Sequence, residues 1–232
     1  MDMAAPIDPF ADPRNRMVDS QVRPNKVTDP RILTAMRSIP RERFLPPALA
    51  SLAYADEDVP LGNGRVLMEP MLTARLIQLI APVGGERALV VAAGVGYGAA
   101  VLAACGVRVI ALEADEALLA LAGAVLPGIA PGVHLVSGSL TAGWPAEAPF
   151  DIVLIEGAVA AAPPAIVAQL HQETGRLVTV LRGTAGGGGG QWGGQGQAVR
   201  GEATQAGFQL RPAFDCATPP IPALAAPPVF SL

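Results

Sequence analysis

The sequence contains few cysteines, histidines and lysines, and each shortage excludes a class of site. Cys105 and Cys216 are the two cysteines, too few for a disulfide framework or a zinc site, so we expect no metal. The two histidines, His134 and His171, are isolated, which favours structural or surface positions. Lys26 is the single lysine, and the net charge of −4 argues against general nucleic-acid binding.

The sequence also lacks a secretory signal and a membrane span. Residues 1–16 contain acids and no apolar core, and we interpret them as a flexible N-terminal arm of a cytoplasmic protein. Residues 88–107 carry no charge over a length close to the ~20 residues that a bilayer needs. Because this stretch is mostly alanine and glycine, with turn glycines at its centre, we predict no membrane association. With 51% hydrophobic and 16% charged residues, we expect one folded domain.

The most informative segment is residues 87–115. Residues 89–91 form a short apolar run typical of a buried strand, and Gly94 and Gly96 follow it. Glycines at this point let the backbone turn sharply and let a ligand approach closely. After a short helix, a second apolar strand ends at Glu113, which is placed to accept hydrogen bonds from ribose hydroxyls. The G-x-G-x-x-A motif by itself fits both a nicotinamide or flavin site and an S-adenosylmethionine site.

Strands and helices alternate along the rest of the chain, which predicts an α/β fold with a doubly wound, mostly parallel sheet. Two earlier helices are predicted to begin at Pro30 and Pro70, where proline suits the first helical position. Between them, residues 56–70 are predicted to be a loop with a Gly-Asn-Gly turn, and residues 183–196 to be a mobile glycine-rich loop. The strands are predicted at 89–91, 107–112, 133–136, 150–155 and 175–180, with edge strands in 206–216.

Taken together, residues 17–180 resemble the protein-L-isoaspartate (D-aspartate) O-methyltransferase family. The match extends well beyond the glycine motif, and it favours S-adenosylmethionine over nicotinamide. The lack of a lysine near Tyr54 or Tyr97, which leaves no Tyr-x-x-x-Lys hydride-transfer pair, agrees with this. The blocks that carry the resemblance are Gln21-Val22-Arg23, Asp29-Pro30-Arg31-Ile32-Leu33, Ile39-Pro40-Arg41-Glu42-Arg43-Phe44-Leu45-Pro46, Pro60-Leu61-Gly62-Asn63-Gly64, Glu69-Pro70, Gly96-Tyr97, Glu113, Gly143-Trp144-Pro145 and Pro149-Phe150-Asp151.

The resemblance implies a seven-stranded sheet of the class I S-adenosylmethionine-dependent methyltransferase type. It implies a single domain from 17 to 232, with N-terminal helices and a cleft loop at 17–70 and a nucleotide-binding core at 71–183. A glycine-rich loop is then expected at 184–200, and edge strands and a tail at 201–232.

The implied activity is transfer of a methyl group from S-adenosyl-L-methionine to the α-carboxylate of an isoaspartyl residue in a damaged protein. A carboxylate is already ionised near neutral pH, so the enzyme needs no general base. Catalysis then consists mainly of positioning the carboxylate oxygen in line with the methyl–sulfur bond and excluding water. The implied partner is an isoaspartyl-containing protein or peptide, and we expect a monomer.

The cofactor-binding residues implied by the resemblance are Gly94, Gly96, Glu113 and Ser139. Gly94 and Gly96 form the turn, and Glu113 is the ribose acid. Ser139 aligns with the aspartate that accepts a hydrogen bond from the adenine amino group in the family.

Other positions depart from the family's pattern. Val90 aligns with an acid that helps to hold the methionine moiety, and Ala92 aligns with the first glycine of the turn. Met68 stands where the family has a serine near the acceptor carboxylate, so the sequence identifies no catalytic residue. These departures motivate an alternative hypothesis, a catalytically inactive homologue retained as a binding or regulatory module.

Overall fold

Seven strands form one mixed sheet, and two further strands form a separate hairpin. The computed structural model describes residues 8–182, 196–204 and 207–225. The hairpin strands are β1 (Val59–Gly62) and β2 (Arg65–Leu67), and the sheet strands are β3 (Arg87–Val91), β4 (Arg108–Glu113), β5 (Val133–Ser137), β6 (Ile152–Val159), β7 (Arg176–Leu181), β8 (Gly196–Thr204) and β9 (Gly207–Cys216). The sheet order is β5-β4-β3-β6-β7-β8-β9, parallel through β7 and antiparallel at β8 and β9. The doubly wound, mostly parallel seven-stranded sheet predicted from the sequence is confirmed.

The central strand β3 lies between β4 and β6 and is buried on both faces. Ala88 and Val90 pack into one hydrophobic core, and Leu89 and Val91 pack into a second core on the other face. Such two-sided burial explains why the strand is a continuous apolar run.

Helices pack against both faces of the sheet, and two of them, α2 and α5, begin at the aspartate N-caps that the sequence predicts. Asp29 accepts a hydrogen bond from Arg31 N at 2.9 Å, and Asp115 accepts one from Ala117 N at 2.9 Å. Across residues 8–182, 196–204 and 207–225, no helix combines the length and apolarity that a membrane crossing requires. The helices are α1 (Ala11–Met17), α2 (Pro30–Ser38), α3 (Pro70–Ile80), α4 (Tyr97–Ala104), α5 (Glu116–Ile129) and α6 (Pro164–Val167), with a π-helical turn at Val18–Val22 and 3₁₀ turns at Arg41–Phe44, Pro47–Leu52, Pro145–Glu147 and Pro222–Leu224.

The prediction of a flexible arm at 1–16 is wrong for its second half, because residues 11–16 belong to α1. Arg14 is buried: its Nε donates to the Tyr54 hydroxyl at 3.0 Å and its Nη2 lies 3.3 Å from Glu42 Oε1. These contacts attach α1 to the domain, and composition alone does not reveal them. Residues 1–7 lie outside the described residues.

Two predicted loops also differ from the structure. Residues 56–70 contain the β1–β2 hairpin, in which Val59 pairs with Leu67 and Asn63 adopts a left-handed φ of 50°. Strand β8 begins at Gly196, inside the predicted 183–196 and 184–200 loops, because Ala198 pairs with Val180 of β7 and is fully buried. The rest of the 183–196 prediction, residues 183–195, lies outside the described residues.

A bidentate ion pair joins the start of β7 to the segment between α3 and β3. Arg176 Nη1 and Nη2 donate to Glu86 Oε1 and Oε2 at 2.9 and 2.7 Å, and Arg176 Nε donates to Ile80 O at 2.5 Å. Burial raises the pKa of Glu86, but the hydrogen bonds from Arg176 and from Val83 N outweigh it, so the net pKa lies below the ordinary value. The charged form of Glu86 therefore stabilises the fold.

We predict that Glu86→Gln lowers the free energy of unfolding by about 1–3 kcal/mol at pH 7, the range for hydrogen bonds to a charged group. Since the pKa of Glu86 is depressed in the folded state, its contribution is present above 4.5 and lost as the pH falls through the folded value. In urea unfolding, the difference in free energy of unfolding between wild type and variant should therefore become smaller as the pH falls. The exposed Glu173→Gln is the matched control, and a difference that persists at low pH would contradict this assignment.

Candidate functional site

A glycine turn follows β3 at the carboxyl edge of the sheet and leads into α4. Ala92, Gly94 and Gly96 all adopt left-handed backbone conformations, with φ of 57°, 57° and 88°. A Cβ at Gly96 would lie 2.9 Å from Leu126 Cδ1, so the turn packs too closely for a side chain there. Ala92 holds its conformation at a cost of roughly 1–2 kcal/mol, since it carries a Cβ. The turn sits where α/β sheets of this type bind ligands.

Glu113, the last residue of β4, fixes the shape of this turn. Its side chain is fully buried, and Oε2 accepts a hydrogen bond from Gly94 N at 2.8 Å. Oε1 accepts from Ala114 N at 2.7 Å and from Asp115 N at 3.0 Å. The carboxylate thus ties the ends of β3 and β4 together through backbone N–H groups.

Arg65 completes the environment of Glu113 and was not singled out from the sequence. Its Nη1 donates to Glu113 Oε1 at 3.0 Å, and its Nη2 donates to Ala92 O at 2.8 Å. The guanidinium is almost fully buried, so this is a desolvated ion pair. The sequence offers no signal for the pair, since Arg65 lies 48 residues before Glu113 and reaches it only because the β1–β2 hairpin folds over the sheet edge.

Ser139 lies on the loop that follows β5, the strand next to β4. Ser137 pairs with Glu113 in the sheet, and Gly138 N donates to Glu113 O at 3.1 Å. Ser139 itself is exposed, with its Oγ 2.9 Å from Thr141 Oγ1. The structure therefore brings Gly94 and Glu113 into direct contact, with Gly96 in the same turn and Ser139 on the adjacent loop.

A small cavity of about 10 Å³ lies under the hairpin, about the volume that one water needs. The cavity is lined by Val66 and Leu67 of the hairpin, Met68 just after it, Thr73, residues 92–95 of the turn, Gly98 and Glu156. The Met68 side chain is buried at this site, in keeping with its apolar character.

Glu156, in the middle of β6, is a second acid near the turn, and the sequence analysis did not single it out. Its Oε1 lies so close to Gly98 that a Cβ there would be 1.5 Å away. The pKa of Glu156 is raised to about 8, because burial, with a contribution from the negative charge of Glu113, outweighs the lowering effects of Arg65 and Arg41. Glu156 is therefore largely protonated at neutral pH. A single acid inside an otherwise apolar strand is the signal that could have found it.

Arg41 anchors the backbone of Met68. Its Nε donates to Ala53 O at 2.7 Å, its Nη2 donates to Met68 O at 2.5 Å, and its guanidinium lies 4.6 Å from the Tyr97 ring centroid. Burial lowers the pKa of Arg41 from its ordinary value. Within the part of the chain that the structure describes, Arg41 Nη1 and the Tyr97 hydroxyl have no hydrogen-bond partner.

Comparison with known proteins agrees with the fold. A solved protein-L-isoaspartate O-methyltransferase superposes with a TM-score of 0.74 at 20% identity, covering 91% of this chain and 67% of the other. A Plasmodium falciparum structure of that enzyme type, in complex with S-adenosyl-L-homocysteine, gives a TM-score of 0.71 at 16% identity over 88% of this chain and 96% of the other. At these identities the superpositions support the fold class alone.

Sequence comparison identifies the family. A protein-L-isoaspartate O-methyltransferase of Methylorubrum extorquens is 43% identical over 173 residues, 75% of each chain. One of Methanoregula boonei is 38% identical over 178 residues, 76% of this chain and 82% of the other. The model of the protein-L-isoaspartate(D-aspartate) O-methyltransferase family matches residues 12–184. The family match also settles the choice that the glycine motif left open between nicotinamide or flavin and S-adenosylmethionine. With most of its length covered, this chain belongs to the protein-L-isoaspartate(D-aspartate) O-methyltransferase family.

Proposed function

We propose that this protein is an S-adenosylmethionine-dependent carboxyl methyltransferase that methylates isoaspartyl residues in damaged proteins. The observation that carries the proposal is the Glu113 carboxylate at the end of β4, held against the Gly94 turn, in a chain of this family. A carboxylate in that position suits a nucleoside ligand, because ribose hydroxyls donate hydrogen bonds to it.

The residues at the sheet edge fit an adenosyl group once one internal contact gives way. Arg65 Nη1 donates to Glu113 Oε1 in the way that a ribose hydroxyl would, so the arginine stands in for the ligand's donor. Glu113 and the Gly94–Gly96 turn would hold the ribose after Arg65 withdraws, and Ser139 on the adjacent loop would face the base. The small cavity beside Gly94 has room for about one water, so a ligand needs further space at this edge.

When bound, the cofactor supplies an electrophilic methyl group on a sulfonium. The protein's own contribution is then position and exclusion of water rather than proton transfer, because the acceptor carboxylate is ionised at neutral pH. Buried apolar side chains at Leu67 and Met68 keep the hairpin side of the cavity dry. Arg41 holds the Met68 backbone in place through the hydrogen bond that its Nη2 donates to Met68 O.

We further infer an isoaspartyl-containing protein or peptide as the partner, a monomeric state and a cytoplasmic location. Cys105 and Cys216, which are both free, suit a reducing compartment.

The alternative, an inactive homologue that serves as a binding or regulatory module, rests on one structural observation. Arg65 and three backbone N–H groups already satisfy Glu113. The family relationship favours the methyltransferase, and the same measurements decide between the two functions.

We expect the full chain to transfer methyl groups to an isoaspartyl peptide and to leave the matched aspartyl peptide unmodified. The aspartyl peptide is the control because it has the same composition and no free α-carboxylate at that residue. Labelled methyl incorporation measures the activity, and calorimetry measures the binding of S-adenosylhomocysteine. If the chain binds no S-adenosylhomocysteine at millimolar concentration, the proposed methyltransferase function is excluded.

We predict that Arg65→Gln tightens S-adenosylhomocysteine binding by about tenfold, because displacing a charged hydrogen bond costs about 1.5–3 kcal/mol and a neutral amide costs less. The free variant should unfold more easily, since Glu113 then lacks its cation. Calorimetry and urea unfolding test both effects, with the exposed Arg211→Gln as the matched control. Weaker binding by the Arg65 variant would mean that the arginine contacts the ligand instead of competing with it.

A further inference from the structure

Glu156 is a partly buried acid for which the proposed site has no role yet. Strand β6 pairs with β3 in parallel, with Leu154 level with Val90 and Ile155 level with Val91. Side chains alternate along a strand, so Glu156 lies on the same face as Leu154 and Val90, one step further toward the carboxyl edge. Glu156 therefore reaches the glycine turn from β6, whereas Glu113 reaches it from β4, on the other side of β3.

The surroundings of Glu156 leave its carboxyl group available. Among the residues that the structure describes, no donor is hydrogen bonded to it, and it lines the cavity between the turn and the hairpin. A side chain at Gly98 would collide with it, so the start of α4 gives the carboxyl group its space. The Glu156 side chain is only partly buried, so a ligand at the cavity can reach its carboxyl group and supply the hydrogen-bond partner that it lacks.

The ligand of the proposed function has the matching charge. The tail that extends from the ribose of S-adenosylmethionine carries an α-ammonium group and a sulfonium beside its α-carboxylate, and the ammonium group is also present in S-adenosylhomocysteine. Val90, which aligns with a tail-holding acid, is an apolar residue with no exposed surface, so it cannot pair with these cations. Two acids lie on that face next to the turn; Glu113 is already paired with Arg65, which leaves Glu156.

We propose that Glu156 binds the cationic tail of the cofactor and thereby replaces, from the neighbouring strand, the carboxylate that position 90 lacks. This inference rests on the proposed function. Glu156 is a positioning residue for the cofactor, and it takes no part in methyl transfer.

The proposal carries a pH dependence. The charged groups that face Glu156 are Arg65 on β2, Arg41 on the 3₁₀ turn and Glu113 on β4, and burial raises its pKa to about 8. Below that pH, Glu156 in the free protein is protonated, and it must lose this proton before its carboxylate can pair with the ammonium group of the ligand. Affinity for the ligand should therefore rise by about tenfold per pH unit from pH 6 to 7.5 and level off near 8.

The test compares two ligands by calorimetry on the full chain. S-adenosylhomocysteine has the ammonium-bearing tail, and methylthioadenosine has the adenosyl group without it. Glu156→Gln should weaken S-adenosylhomocysteine binding by tenfold or more at pH 8, remove its pH dependence, and leave methylthioadenosine binding unchanged. The variant should fold, because glutamine has the same shape as the protonated acid that wild type holds at neutral pH. Glu173→Gln, an exposed acid, is the control.

The remaining outcomes overturn the inference in distinguishable ways. Equal loss of affinity for both ligands would show that Glu156 shapes the pocket without pairing with the tail. Unchanged S-adenosylhomocysteine binding with a raised KM for the isoaspartyl peptide would assign Glu156 to the acceptor. Failure of wild type to bind either ligand would overturn the proposed function together with this inference.

Discussion

The contact between the Glu113 carboxylate and the Gly94 turn is the constraint on which the rest of the site depends. A parallel sheet exposes the ends of its central strands at one edge, and the turn after β3 must be held there against its own backbone strain. Glu113 does this by accepting hydrogen bonds from the backbone N–H groups of Gly94, Ala114 and Asp115. Because the carboxylate is fully buried, each of these bonds forms in a low-dielectric environment where it is strong.

A buried carboxylate needs a cation, and the fold brings one from far away in the chain. Arg65 reaches Glu113 and also the carbonyl of Ala92, so it neutralises the acid and supports the strained residue at the same time. Two other buried arginines act in a similar way: Arg41 binds the carbonyls of Ala53 and Met68, and Arg14 joins α1 to Glu42. Guanidinium groups thus join the N-terminal segments to one another and, through Arg65, to the sheet edge, and they pair carbonyls that apolar packing would leave unpaired.

This design gives the site a closed resting arrangement. The donor that Glu113 would receive from a ribose is supplied internally, and a second acid, Glu156, is held protonated a short distance away across β3. A ligand with hydroxyl donors and an ammonium-bearing tail would replace the Arg65–Glu113 pair and would give Glu156 a partner. In the proposed function, the first change would reduce the binding energy of the ligand and the second would increase it.

Much of the fold could be read from local pattern. Apolar runs, capping aspartates and prolines determine the alternation of strands and helices, and the run into Glu113 determines which acid faces the turn, because these signals act between residues that are close in the chain. The hairpin at 59–67, the helix at 11–17 and strand β8 escaped prediction, since each depends on partners far away in sequence.

For this protein, the sequence by itself determined the sheet, the glycine turn, the place of Glu113 at the end of β4 and the family. Only the tertiary structure decided that Arg65 covers Glu113 and that Glu156 lies beside Gly98. The physical reason is that ion pairing and burial depend on which surfaces the packed elements bring together, and no local pattern records that choice.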